Sequence, residues 1–469
     1  MRPVFQLLNK DEIEEIYLNA LNLLEDFGIY FEKRESLDLF KKAGCKIDIE
    51  KKIVYIPRSL VEESLKSVPS ELVLYNREGK KVISLSGNNT IFNPGSAAIN
   101  ILDGKTLEIR KPVTNDFIDF IKLTDALQYI EAQSTALVVS DVPESIVDRY
   151  RLYLVLKNSI KPVITGAFTI EGIHIMKKML DVVSDGKIAE KPIAIFDCCP
   201  SPPLKWSSLT SQNLIDCAKY KLPIELVSMP LAGATAPVTL ASVLATITAE
   251  NLSGIVLSQI VNKGAPIIWG GSSTIMDMRY GTTPMGAIEA SMIDCAYAQI
   301  GKHLNLPTHA YLGLSDSKLC DYQAGFESGI GIILGAMMGI NVISGPGMLD
   351  FESCQSMDKL IIDNEICGMA KKLCRGISVN AETIAYKLIE EIGHHDTFLM
   401  ADHTLKLHRK EIFIPSTIID RQNRMAWENQ GKIPILKRTQ QEISKILKDH
   451  EPLSLDSDKE KELDNFFKF

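Results

Sequence analysis

The chain has 469 residues, 45% apolar and 23% charged, with 51 Lys+Arg against 59 Asp+Glu for a formal net charge of −8. That length and balance suit a globular fold with a sizeable core. They argue against nucleic acid or an anionic membrane as the main partner, because phosphate binding rests on clustered Lys/Arg and no basic stripe occurs. Gly and Pro, at 29 and 21 residues, are near average usage, which excludes collagen-like and low-complexity chains.

At the amino terminus, Asn9-x-x-Glu12 has the pattern of a capping box, and Ile13, Ile16, Ala20, Leu23, Leu24 and Phe27 follow with helical period up to Gly28. Short β-like pieces at Ile53–Ile56 and Leu72–Tyr75 complete an α+β extension over residues 1–90. No signal-peptide succession is present and no run reaches ~18 consecutive apolar residues, so a cytoplasmic location is expected. The nine Cys lie mostly inside apolar runs without paired spacing and read as reduced, buried thiols.

From Ile91 to about Cys374 the pattern alternates between apolar or β-branched runs and longer segments of helical period. The runs are Ile91–Ala98, Ile130–Val138, Pro162–Ala167, Pro192–Cys199, Pro223–Met229, Pro266–Gly271, Pro307–Gly313 and Asn341–Gly345. Each start lies some 30–43 residues before the next, enough for a right-handed βαβ crossover. Eight such units predict an α/β fold of the (β/α)8 TIM-barrel type over 91–375. Between Pro223 and Gly286 the only charged residues are Glu225, Glu250, Lys263, Asp277 and Arg279, as parallel strands covered on both faces require. A doubly wound sheet would need a glycine turn after its first strand, and none is there. The glycines of Gly329-Ile-Gly331-Ile-Ile-Leu-Gly335 read instead as a helix face that packs closely on the barrel. Residues 376–469 predict a mostly helical extension, with Ala381–Ile392 and Thr439–Lys448 as helices. The last, polar stretch is expected to fray unless Phe466, Phe467 and Phe469 dock.

In such a barrel the working residues sit at the carboxyl ends of the strands and in the loops that follow. This selects Asn93, Ser134, Asp197, Met229, Trp269, Asp277, Arg279, Tyr280, His309, Tyr311, Ser315, Asp316, Lys318, Asp321, Gln323 and Phe351. Arg279 is the only arginine between Arg151 and Arg375, and its charge needs Asp277, a ligand anion or a partner. In the seventh strand His309 and Tyr311 share one face by period two. The polar loop Ser315–Glu327 is a site candidate, although Asp316 or Asp321 could simply cap the next helix. Metal chemistry has little support: no CxxC or HExxH spacing occurs, and only His394, His395 and His403 could cluster.

Several long motifs are similar to those of the trimethylamine methyltransferase (MttB) family. They are PLAGATAPVTLAS (230–242), AENLSGIVLSQIVNKGAPIIWGG (249–271), MDMRYG (276–281), SDSKLCDYQAGFE (315–327) and DNE (363–365), with Glu289, Pro307 and His403-Thr404. The resemblance implies a TIM barrel that moves a methyl group from a methylated amine to the Co(I) corrinoid of a separate protein docked over the barrel mouth. Corrinoid is then supplied by the partner, with no tightly bound cofactor and no metal site. Members acting on trimethylamine carry pyrrolysine, expected near Leu319. This chain has only the standard twenty residues, so it resembles the non-pyrrolysine branch typified by glycine betaine methyltransferase. A quaternary ammonium leaves as a neutral amine, so positioning and desolvation would suffice. The resemblance and the strand-end rule together give Trp269, Arg279, Tyr280, His309, Tyr311, Asp316, Gln323 and Phe351 as substrate-binding residues, Lys318 and Leu319 as partner-binding ones, and a homo-oligomer. The alternatives are a barrel lyase or aldolase, using Lys318 and an anion turn at SGPG (344–347), or a non-catalytic quaternary-amine-binding protein.

Overall fold

The computed structural model describes residues 2–394 and 396–467, so Phe469 and His395 lie outside the described residues. Each of the eight apolar runs holds a strand: β1 (Ile91–Asn93), β2 (Gln133–Ser134), β3 (Val163–Thr165), β4 (Ala194–Cys198), β5 (Ile224–Ser228), β6 (Ile267–Gly271), β7 (His309–Tyr311) and β8 (Val342–Ser344). A helix follows each one: α1 (Thr114–Ala126), α2 (Val147–Asn158), α3 (Gly172–Ser184), α4 (Ser208–Tyr220), α5 (Leu240–Val261), α6 (Ile288–His303), α7 (Tyr322–Met338) and α8 (Met357–Arg375).

Strands β2 to β6 form one parallel sheet in sequence order, and β7, β8 and β1 form another. Backbone hydrogen bonds join the sheets at both margins. Trp269 N donates to Pro307 O (2.8 Å) between β6 and β7, and Glu131 N donates to Phe92 O (2.9 Å) between β1 and the start of β2. Beyond the ends of β1 and β2, Ala98 N donates to Ala136 O at 3.0 Å.

At the amino ends of the strands, Ile91, Ala132, Ile164, Ile195, Ile268 and Val342 form one apolar cluster drawn from both sheets. The hairpin formed by Leu72–Tyr75 and Lys81–Leu85 contributes Leu72, Leu74, Ile83 and Leu85 to the same cluster and closes that end. Close packing of helix on strand rests on small residues. A Cβ on Gly331 of α7 would sit 2.1 Å from Leu312 O, and one on Gly335 2.8 Å from the Leu312 side chain.

Helix α5 is long and apolar enough to cross a membrane, yet 78% of its apolar window is buried inside the fold. The cause is its cover on two sides. Strands β5 and β6 lie beneath it, and the amino-terminal helices Lys10–Asn22, Arg34–Lys42 and Arg58–Ser67 lie over it. The capping box at Asn9 and Glu12 is formed. Phe27, read as part of the buried stripe, instead lies exposed, because the helix passes into a wider π-turn at Leu23–Phe27 that rotates it outward. The nine cysteines are free thiols, six of them buried.

One carboxy-terminal expectation changes, and the alternative given for the tail is met. Ala381–Ile392 is two short helices, broken where Ala385 takes a left-handed φ of 51°. The polar tail is not frayed: Ser457–Asp464 is a helix with Leu463 buried, capped by Asp456. Beyond it Phe467 packs its ring 4.8 Å from Tyr153 and 5.2 Å from Tyr150 of α2. Docking of the aromatic end orders the segment.

Candidate active site

Two residues beyond the apolar cluster, on the same face of each strand, the inward positions become polar. Asn93 (β1), Ser134 (β2), Asp197 (β4), Glu225 (β5), His309 (β7) and Ser344 (β8) occupy them, and β6 contributes Gly270. A Cβ at Gly270 would come 3.2 Å from His309 Nδ1, 3.3 Å from Glu225 Cγ and 2.7 Å from Leu226 O. Glycine there lets the histidine and the glutamate meet.

His309 Nδ1 lies 2.6 Å from Glu225 Oε1 with both side chains fully buried. On its other side Nε2 is 2.8 Å from Ser344 Oγ, which donates to Asn93 Oδ1 at 2.8 Å, while Asn93 Nδ2 donates to Pro94 O. Because the Ser344 proton goes to Asn93, His309 must be the donor at Nε2, which leaves Nδ1 facing Glu225. Burial sets the charge of this pair: Glu225 rises to about 8 and His309 falls to about 4. At neutral pH the pair therefore holds one shared proton and little net charge. Neither Glu225 oxygen has an in-line hydrogen bond, and Asp197 Oδ1 also lacks a partner. Burial, then the Glu225 charge, push Asp197 well above the usual carboxylate range, opposed by His309 and Arg151.

Tyr311 stands perpendicular to His309, with ring centroids 4.8 Å apart, and its hydroxyl is 3.5 Å from Ser96 Oγ. The charges of Asp197, Glu225 and Glu352 all reach it. Glu352 is brought there by an uncommon backbone: Asp350, Phe351 and Glu352 have φ of 50°, 55° and 71°, three successive non-glycine residues in the left-handed region. Its carboxylate accepts from Ser272 Oγ at 3.2 Å, and burial raises it to about 7. Asp294 of α6 is buried, feels Glu352 and has one unpartnered oxygen, and Asp316 is raised to about 6 mainly by burial. Arg151 of α2 is the nearby cation. It donates to Thr135 O, lies 4.9 Å from the Phe168 ring, keeps Nε and Nη1 unpartnered, and is lowered to about 10 by burial. Three carboxyl groups, Asp197, Glu225 and Glu352, thus reach one aromatic ring with Arg151 nearby, and since burial alone disfavours their ionised forms, a cation entering there would favour those forms.

The loops after β7 and β8 are held by a buried pair on α8. Lys359 Nζ donates to Gly313 O (3.0 Å) and Asp363 Oδ2 (2.5 Å), and Asp363 Oδ2 accepts from Gly347 N (2.7 Å). The SGPG turn does bind an anion through its backbone, but that anion is the protein's own Asp363.

Comparison with known families matches residues 1–468 to the model described as trimethylamine methyltransferase (MTTB). The chain belongs to the trimethylamine methyltransferase family. Among similar relatives, trimethylamine methyltransferase MttB of Desulfitobacterium hafniense (strain DSM 10664 / DCB-2) is 33% identical over 447 residues, covering 94% of this chain and 89% of that one. Glycine betaine methyltransferase of Desulfitobacterium hafniense (strain Y51) is 32% identical over 470 residues, covering 99% and 97%. The crystal structure of the Methanosarcina barkeri monomethylamine methyltransferase (MtmB) superposes with a TM-score of 0.51 at 12% identity, covering 93% of both chains, which shows the shared mixed α/β fold.

Against this trimethylamine methyltransferase fold, the residues chosen from sequence divide. His309 and Tyr311 meet in the interior, and Asp316 lies near Glu352. Trp269 does not join them: it is fully buried on the outward face of β6, where its indole N–H donates to Tyr297 O of α6 at 3.0 Å. Arg279 lies apart from them as well. Its guanidinium is 78% exposed and grips Asp277 through Nη2 (2.6 Å) and Nε (3.1 Å), beside the exposed Tyr280. Gln323 is exposed on α7 and bonds Glu327. Phe351 faces Lys318, whose Nζ is 3.7 Å from the ring centroid and 2.7 Å from Asp316 O, so this pair clasps two loops together. Leu319 is partly exposed beside it. His403 bonds Glu382 O instead of a metal-binding neighbour. Sequence reasoning missed Glu225, Glu352, Asp294 and Arg151.

The raised carboxyl groups give a pH test. Between pH 6.5 and 8 the folded chain binds more protons than the unfolded one, because Glu352 and Glu225 titrate near 7 and 8 in the fold and near the ordinary value when unfolded. The ligand-free protein is therefore expected to lose thermal stability as pH rises across that window. Affinity for a permanently charged cation should rise over the same interval as the carboxylates ionise. Melting curves with and without ligand at each pH check both slopes, and parallel slopes would remove the carboxylates from binding.

Proposed function

We propose that this enzyme demethylates a quaternary amine, passing the methyl group to the corrinoid of a separate protein that docks over a closed (β/α)8 barrel at residues 91–375, flanked by the two extensions. Hydrogen bonds at both sheet margins support barrel closure. The observation that carries the substrate class is the interior itself: Tyr311, perpendicular to His309 and within reach of the charges of Asp197, Glu225 and Glu352, suits a cation that cannot donate hydrogen bonds and is held by charge and ring faces. The similarity to a glycine betaine methyltransferase supports the same class. A substrate carboxylate would meet Arg151, whose two unpartnered nitrogens are the buried donors near Asp197, and not Arg279.

The residues present suit a partner at the mouth. Tyr322, 95% exposed, and Phe326, Met278 and Tyr280 lie on or after the loops that follow β6 and β7, with Lys318 and Leu319 beside them. The corrinoid supplies the nucleophile that accepts the methyl group. The chain's own groups hold the ammonium and exclude water, and the amine leaves neutral with the electron pair of the broken C–N bond, so no proton has to be supplied.

The test is methyl transfer from a panel of quaternary amines, with and without carboxylates, to a Co(I) corrinoid protein followed by corrinoid absorbance. At least one quaternary amine is expected to react, and a preference for carboxylated members should vanish in Arg151→Met. Transfer from none of the panel would overturn the proposal.

A further inference from the structure

A cavity of about 280 Å³ lies at the amino ends of the strands, away from Tyr311, where β1 begins and where α7 and α8 end. Arg2, Asn88, Thr90, Lys371, Cys374 and Arg375 are among the residues around it. Its wall is positive: three of the lining residues are basic and, among the described residues, none is acidic. Lys302, at the end of α6, stands close behind, and burial and then the Arg2 charge lower it to about 8. One carboxylate is near, that of Glu131, and it is already engaged, paired with Lys371 and accepting from Phe92 N at 3.1 Å.

Backbone carbonyls hold these cations in place without cancelling their charge. Arg2 donates to Asn88 O and Ala336 O, Lys302 Nζ donates to Gly87 O (2.6 Å), and Lys371 Nζ donates to Thr90 O (3.1 Å). Arg2 Nε is buried with no partner. Arg375 is exposed at the rim and forms no ion pair among the described residues. Set against Glu131, the cations Arg2, Lys302, Lys371 and Arg375 leave three positive charges uncancelled. The carboxyl ends of α6, α7 and α8 offset about half a charge apiece, so an excess of roughly 1.5 positive charges remains.

We propose that this cavity binds a phosphate group, as the free ion or as part of a small phosphomonoester, and that the bound group ties the amino-terminal residues to the ends of α7 and α8. A phosphate carries about −1.5 to −2 at neutral pH, which matches the excess, whereas a carboxylate brings a single charge. Its oxygens also fit the planar forks of Arg2 and Arg375. The unpartnered Arg2 Nε gains an acceptor, and the repulsion between Arg2 and Lys302 is relieved.

Cys374, half-buried in the cavity wall, reports on occupancy. Alkylation of the full chain by iodoacetamide, a neutral reagent, is followed at each cysteine by peptide mass spectrometry. The additions are inorganic phosphate, glycerol 3-phosphate, or chloride at matched ionic strength. Phosphate is expected to slow Cys374 saturably, by ~10-fold at ten times the half-protecting concentration. Chloride should leave that rate unchanged, and Cys320, half-buried in the loop after β7, should react alike in all three. In Arg375→Ala the half-protecting concentration should rise by roughly 10-fold, as the loss of one charge-assisted contact implies. Because Arg375 is exposed, this variant should melt like the wild type. Protection at lower concentration by glycerol 3-phosphate marks a phosphomonoester and by inorganic phosphate the free ion, and either supports the site. No slowing beyond that of chloride, equal slowing of Cys320, or a half-protecting concentration unchanged in both Arg375→Ala and Arg2→Gln overturns the proposal.

Discussion

Neutralising the carboxylates around Tyr311 is expected to raise the KM for a quaternary amine by roughly 10- to 100-fold per charge, with a smaller effect on kcat, because each charged contact to a buried ligand contributes about 1.5–3 kcal/mol. Asp197→Asn and Glu352→Gln are the variants of choice, since they keep shape while removing charge. The same substitutions should leave the ligand-free protein as stable or more so. Burial pushes both groups up, meaning that the fold disfavours their ionised forms, and an amide is never ionised. Weaker binding together with equal or higher melting temperature would be the mark of groups kept for a ligand. Loss of stability with unchanged KM would show them to be structural.

The second large effect concerns the pair on α8. Lys359 and Asp363 are both about 1% exposed and lie one helical turn apart, and between them they reach Gly313 after β7 and Gly347 after β8. Lys359→Met would leave Asp363 buried without its cation, a change that costs about 3–5 kcal/mol. The expected result is a melting temperature lower by roughly 5 °C or more, read by calorimetry. Replacing both, as Lys359→Met with Asp363→Leu, should recover much of that stability because no charge is then buried alone. The double variant still loses the bonds to Gly313 and Gly347, so a recovered fold with poor turnover would separate the two roles of the pair: stability, and the placing of loops at the mouth.

The positions of the eight strands were legible because a parallel strand covered on both faces reads as a continuous apolar run, and here Pro or Gly bounds most of them. That same property hid which face points inward. Along β6 every residue is buried, so Trp269 offered no periodic signal, and only the approach of His309 and Glu225 to Gly270 shows that the tryptophan faces α6. In β7 the polar His309 and Tyr311 marked the interior face by themselves. Glu225 carried a stronger signal than Arg279: it is a lone acid within the apolar stretch IELVS and is costly to bury without purpose. Arg279 has a carboxylate two residues away in sequence and satisfies its charge at the surface. Glu352 could not be read from sequence, because nothing in Asp350-Phe351-Glu352 advertises three left-handed residues.

The pairing of β1 with β8 also has a consequence in time. Ile91 lies opposite Val342, so a ribosome adding ~5–20 residues per second makes the first strand wait some 12–50 s for its partner. Throughout that interval β1 presents an unpaired edge of apolar sequence. The amino-terminal hairpin and helices, made earlier, can shelter its end but cannot replace the missing strand. Synthesis speed and chaperone supply should therefore govern the yield of this chain more than its final stability does.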